Sequence, residues 1–208
     1  MYERFLKRYS LDRPRDQGGG QVPTANAGLG QFFAAFAGAS FGRGLYRVVN
    51  SSTVHLAEAF VREAFPKYQQ VSVFSYDWLG RVFALDPARR EAAGPGVLLM
   101  EPGTGEALEV PCSLEDFHER ELVDQSDAAV GAPFHRKWLD SGGTAPTVLE
   151  CVGYRKPLFL GGDDRVDNLE LSDLDVYWTL AGQLISKTRG LPPGTRVRAE
   201  KFGGGTKP

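Results

Sequence analysis

Apolar residues at Leu56, Phe60, Val61 and Ala64 recur at helical spacing and predict a helix over residues 53–65. Ser52 or Thr53 is its expected N-cap, and Pro66 stands just past its end. A longer stripe, Leu174, Tyr177, Trp178, Ala181, Leu184 and Ile185, predicts a second helix capped by Ser172. Shorter helices are expected over residues 1–9, with Phe5, Leu6 and Tyr9 near one face, and over residues 31–37. Residues 16–30 are rich in Gly, Pro, Asn and Thr and are expected to form a loop.

Elsewhere the pattern shortens to a period of two. Residues 45–49 predict one strand, and residues 71–77 and 81–85 predict a hairpin turning at Leu79-Gly80. Residues 97–101 and 106–110 flank Pro102-Gly103-Thr104-Gly105 and predict another hairpin. Four strands in so short a stretch imply an antiparallel meander. Ser113 and Asp116 have capping-box spacing at the start of a broken pair of helices that reaches Trp138. Residues 140–146 are linker-like, and residues 148–160 are extended and interrupted at Pro157. Helices and hairpins in separate runs give an α+β fold, an antiparallel meander packed by helices in one compact unit. The divisions along it are residues 1–37 (N-terminal helices and Gly-rich loop), 38–139, 147–190 and a basic, flexible tail over 191–208.

The chain has 208 residues, 42% of them hydrophobic, enough for a core without metal or disulfide staples. Its 25 Gly and 13 Pro favour turns over long helices. No apolar run is long enough to span a bilayer, and the charged N-terminus has no signal-peptide core, so a cytoplasmic protein is expected. Cys112 and Cys151 are too few for a disulfide scaffold and read as buried thiols.

Net charge adds more once it is resolved along the chain. The total of −2 argues against a globally basic nucleic-acid binder. It conceals basic ends and two acidic stretches, residues 113–127 and 163–175, each with six carboxylates and one Arg. If both lie on one side of the fold, they form a negative patch that would steer a basic partner. The expected contacts are Glu115, Asp116, Glu119, Asp163, Asp164 and Asp167. Trp78 is a further candidate, either as an exposed anchor at the first hairpin or folded back onto the core with Asp77 closing the turn.

Catalytic motifs are weak by comparison. His118-Glu119 would need a second His at Leu122 to form a zinc-protease helix, and the glycine clusters lack phosphate-loop context. Neither cysteine lies in a recognisable nucleophile loop. No metal or cofactor is expected. An alternative enzyme reading is a small hydrolase or ligand-binding enzyme using Glu101, Glu106 and His118, which requires a pocket that gathers them.

Two sets of motifs resemble known families. Phe41-Gly42-Arg43-Gly44-Leu45-Tyr46-Arg47, Ala64-Phe65-Pro66, Tyr76-Asp77-Trp78-Leu79-Gly80-Arg81 and Phe83-Ala84-Leu85-Asp86 resemble a bacterial GAD-like domain. Pro157-Leu158-Phe159-Leu160-Gly161-Gly162, Asn168-Leu169-Glu170, Val176-Tyr177-Trp178 and Gly182-Gln183-Leu184 resemble the C-terminal domain of type VI secretion DNase-immunity proteins. The chain also looks akin to the wider SUKH group of immunity proteins, which have α+β folds. The resemblance spans roughly residues 38–190 and supplies no catalytic residues. It implies an immunity protein that binds and neutralises a cognate nuclease toxin in the cytoplasm. With the acidic stretches, the expectation is a non-enzymatic protein that occludes the toxin's basic cleft, and the charge balance and apolar-run lengths leave direct contact with nucleic acid or membrane unexpected.

Overall fold

The computed structural model describes residues 2–15, 22–24, 26–91 and 94–191. The glycine triplet at 18–20 and the predicted tail beyond residue 191 lie outside them. In chain order the elements are α1 (Glu3–Arg8), β1 (Leu11–Arg13), α2 (Ala27–Phe36), β2 (Ser40–Phe41), β3 (Tyr46–Val48), α3 (Thr53–Ala64), β4 (Ser72–Asp77), β5 (Val82–Glu91), β6 (Gly94–Glu101) and β7 (Glu106–Val110). A broken helical run follows: α4 (Leu114–Asp116), one turn of π-helix (Phe117–Glu121), α5 (Leu122–Asp124), α6 (Ser126–Val130) and α7 (Ala132–Asp140). Two strands, β8 (Glu150–Tyr154) and β9 (Leu169–Asp173), precede the last helix, α8 (Leu174–Thr188).

The first seven strands form one antiparallel sheet in strict sequence order, and β8 and β9 pair in a separate two-stranded sheet. The fold is α+β in one compact unit, as the sequence pattern predicts. The meander is longer than expected. Strands β1 and β2 have only three and two residues, too few to show a period, and they are held by register partners such as Leu11 opposite Phe41.

Several helix starts differ from expectation for one reason: a nearby side chain offers a better acceptor. Asn26 accepts from the Leu29 N–H and starts α2 inside the expected loop. At α3 neither Ser52 nor Thr53 caps; the Asn50 side chain accepts from both of their amides. At α8 Asp173, not Ser172, accepts from the Val176 N–H. Ser113 does cap α4, accepting from the Asp116 amide.

The small sheet is tied onto the large one by hydrogen bonds and packing. The Val152 amide donates to the Trp78 carbonyl at 2.7 Å, and the Trp178 indole donates to the Gly80 carbonyl at 2.7 Å. Trp178 stacks on Phe60 of α3, with centroids 6.1 Å apart and planes at 14°. Arg47 is wholly buried; its guanidinium donates to the carbonyls of Thr147, Glu150 and Asp77 and lies over the Tyr76 ring at 4.5 Å. It fastens the 140–150 segment to the sheet. Among the described residues, no helix is long and apolar enough to cross a membrane.

Candidate partner-binding surface

The first acidic stretch forms the helical run over residues 113–127, and the second forms the approach to β9, β9 itself and the start of α8. Many of their charges are answered from within the chain. Arg4 of α1 donates to both Asp124 oxygens and to the Glu119 carbonyl, and its amide meets Glu119 Oε2 at 3.3 Å. The Arg4 hydrogen bond holds the Asp124 carboxyl below its ordinary value. Arg120 pairs with Asp116 at 3.5 Å, Arg165 with Asp167 at 3.1 Å, and Arg155 with Glu170 at 3.4 Å. The basic N-terminus therefore meets the acidic helical run in the fold itself.

Glu115, Asp163, Asp164 and Asp167 are exposed, and Asp116 and Glu119 are half-buried. Glu115, Asp116 and Glu119 belong to the part of the run that packs against α1; burial, then Glu115 and Glu119, pushes the Tyr2 phenol up to about 12. Asp164 sits elsewhere, accepting from the Tyr154 hydroxyl at 2.6 Å. The six expected contacts therefore do not gather at one point.

Trp78 is not a surface anchor. It is fully buried, its indole donates to the Val130 carbonyl at 3.0 Å, and its ring packs on Phe134 and His135. The turn folds it inward because Asp77 Oδ1 accepts from the Leu79 and Arg81 amides, closing the chain on itself.

The three residues of the alternative enzyme reading are not brought together. His118 is sealed in the core on the π-helical turn. Its Nδ1–H donates to the Leu114 carbonyl at 2.7 Å, so Nε2 accepts from the Tyr46 hydroxyl at 2.8 Å. Rings of Tyr2, Phe5, Phe32, Phe74 and Phe117 surround it, and burial pushes its pKa down to about 4. Glu101 and Glu106 face each other across the β6–β7 hairpin, but Glu106 is exposed while Glu101 pairs with Arg81 at 3.1 Å. Cys112 and Cys151 are buried, and burial raises both thiols, that of Cys112 to about 12.

A concave feature does join the acidic stretches. A cavity of about 270 Å³ is lined by Leu79, Arg81, Glu101, Gly103, Thr104, Asp127, Gly131, Phe134, Tyr154, Leu158 and Asp164. Asp127 closes the first stretch and Asp164 lies near the start of the second. At its base Arg81 donates through Nε to Asp77 Oδ2 at 2.6 Å, through Nη1 to Glu101, and through Nη2 to the Ala129 carbonyl. Burial opposes the Arg81 charge, and Asp77 and Glu101 outweigh it, holding its pKa above the ordinary value. Burial also pushes Asp77 up; the geometry nonetheless favours its ionised form, since two amides and a guanidinium converge on it. Gly103 leaves room for Tyr154, whose ring would lie 2.7 Å from a Cβ there. Of the lining residues, sequence reasoning named Glu101 and Asp164 as candidates and missed Arg81, Asp127 and Tyr154. The i, i+4 spacing of Asp77 and Arg81 is the one local signal for this hub.

No protein-family model matches the chain. No curated protein matches it. The crystal structure of Atu4351 from Agrobacterium tumefaciens is similar, with a TM-score of 0.57 at 15% identity over 88% of this chain and 89% of that one. At that identity the likeness concerns the fold alone.

Proposed function

We propose that this chain is a cytoplasmic immunity-type protein that captures a basic protein partner, a cognate nuclease toxin, and covers its substrate cleft. The observation that carries the reading is one cavity whose wall bears a carboxylate from each acidic stretch, Asp127 from the first and Asp164 from the second. Carboxylates gathered from distant parts of a chain create a local field that accelerates encounter with a cationic surface. The motif resemblance to GAD-like and DNase-immunity domains supports the same reading. The hydrolase alternative has no such support, because His118 is sealed in the core while Glu101 is committed to Arg81.

The test is co-expression with the product of the adjacent gene in a heterologous bacterium. Rescue of growth, with a complex whose association slows as salt rises, is the expected result. Toxicity that this chain leaves undiminished, or an affinity indifferent to salt, overturns the reading.

A further inference from the structure

The cavity between the acidic stretches has a lining chemistry that selects its occupant. We infer that it is a socket for a single arginine side chain presented by a basic partner protein. The inference rests on the proposed function for its partner class, and on the cavity for its chemistry.

Size comes first. At about 270 Å³ the cavity falls just below the roughly 300–1,000 Å³ of small-molecule and cofactor sites, and suits one long side chain better than a nucleotide. Hydrogen-bonding capacity comes second. Every donating side chain of the lining is already drawn to an acceptor: Arg81, through three of its five N–H groups, to Asp77, Glu101 and Ala129, Thr104 to Glu101 Oε2, and Tyr154 to Asp164 Oδ1. Acceptors remain, because a carboxylate offers about four lone-pair sites and Glu101, Asp164 and Asp127 use only part of theirs. An acceptor-rich site matches a ligand that only donates. Guanidinium carries five N–H donors in a planar fork and no acceptor.

Charge and shape agree with this. The positive charge of Arg81 is answered by Asp77 and Glu101, which leaves Asp127 and Asp164 to set the sign of the rim. The remaining walls, Phe134 and Tyr154 among them, are aromatic and apolar, fit for a side-chain stem and a flat cation. A bare metal ion is a poorer fit, since the described residues hold no cluster of three His, Cys, Asp or Glu side chains placed to share one.

The test is a titration of the isotopically labelled 208-residue chain with N-acetyl-arginine methylamide, followed by backbone amide NMR. The lysine and norleucine methylamides serve as comparison probes. Saturable shifts at Gly103, Thr104, Gly131 and Tyr154, strongest for the arginine probe, are expected. The double substitution D127N/D164N, at two exposed positions, should keep the spectrum of the folded chain and weaken the arginine response by about tenfold or more. The socket is overturned by an absence of saturable shifts, by shifts centred on Glu115 and Glu119, by an equal response to lysine, or by a response the double variant retains. Growth rescue separates this from the broader reading. If the wild-type chain rescues and binds no arginine probe, the socket fails and the immunity reading stands. If the probe binds in the cavity and no rescue occurs, the toxin reading fails and the cavity chemistry stands.

Discussion

Two of the places where ionisable side chains are buried treat them in opposite ways. Around His118, rings contributed by α1, α2, β3, β4 and the π-helical turn exclude water, and the imidazole is kept neutral with one hydrogen bond given and one received. At the seam between the two sheets, Arg81 and Asp77 are buried as a charge pair, and the half-buried Glu101 answers Arg81 from its other side. Arg47, also at the seam, is answered by carbonyl dipoles and a tyrosine face. Removing water around an isolated base drives its proton off, while removing it around a paired base strengthens the pair. The aromatic hub therefore responds to pH and the charged hub to loss of a partner.

The largest expected effect breaks the charged hub. Asp77→Ala strips the counter-charge from Arg81 and the acceptor from two amides, and should cost about 3–5 kcal/mol of unfolding free energy, read from urea denaturation. A loss below about 1 kcal/mol would mean that the seam charges are solvated and the contrast with His118 is false.

The next effect concerns the neutral hub. Histidine titrates near 6.5 when unfolded, and burial lowers His118 to about 4 in the fold. Between those values the unfolded state binds more protons, so stability is lost as pH falls through the window, by roughly 3 kcal/mol in full. His135, beside Trp78, is lowered to about 4 by burial and then Arg43, and acts in the same direction. Comparing the wild-type chain with His118→Phe across that window isolates the His118 share. Parallel pH profiles would show that His118 is not held neutral.

The smallest effect lies on the surface. Arg4→Ala removes an exposed pair with Asp124. Thermal unfolding at low salt should shift only slightly, and high salt should erase the difference. A shift as large as that of Asp77→Ala would move this contact out of the surface class.

How much of this was legible depends on how local the cause is. The hairpin around Pro102-Gly103-Thr104-Gly105 and the apolar stripe of α8 are written in adjacent residues, and both formed as expected. Strand β9 was missed because its run, Leu-Glu-Leu-Ser-Asp, reads as part of an acidic loop until β8 pairs with it. The cavity was illegible for the same reason: Arg81 in the β4–β5 turn, Asp127 on α6 and Tyr154 on β8 are brought together only by tertiary packing. Trp78 could face either way by sequence, and the closure of its turn by Asp77 decided it.

The position of α1 has a consequence for synthesis. Tyr2 and Phe5 complete the aromatic shell around His118, more than a hundred residues later in the chain. The seven-stranded meander joins neighbours only, so its hairpins can close in the order in which the ribosome delivers them. The apolar face of the first helix finds Phe32, Phe36, Phe41 and Tyr46 early, but the side that meets His118 stays open until the π-helical turn emerges. Nascent chains arrested before residue 118 should therefore carry an aromatic cluster open on one side that a chaperone can hold, and release of that hold should mark the moment the shell closes.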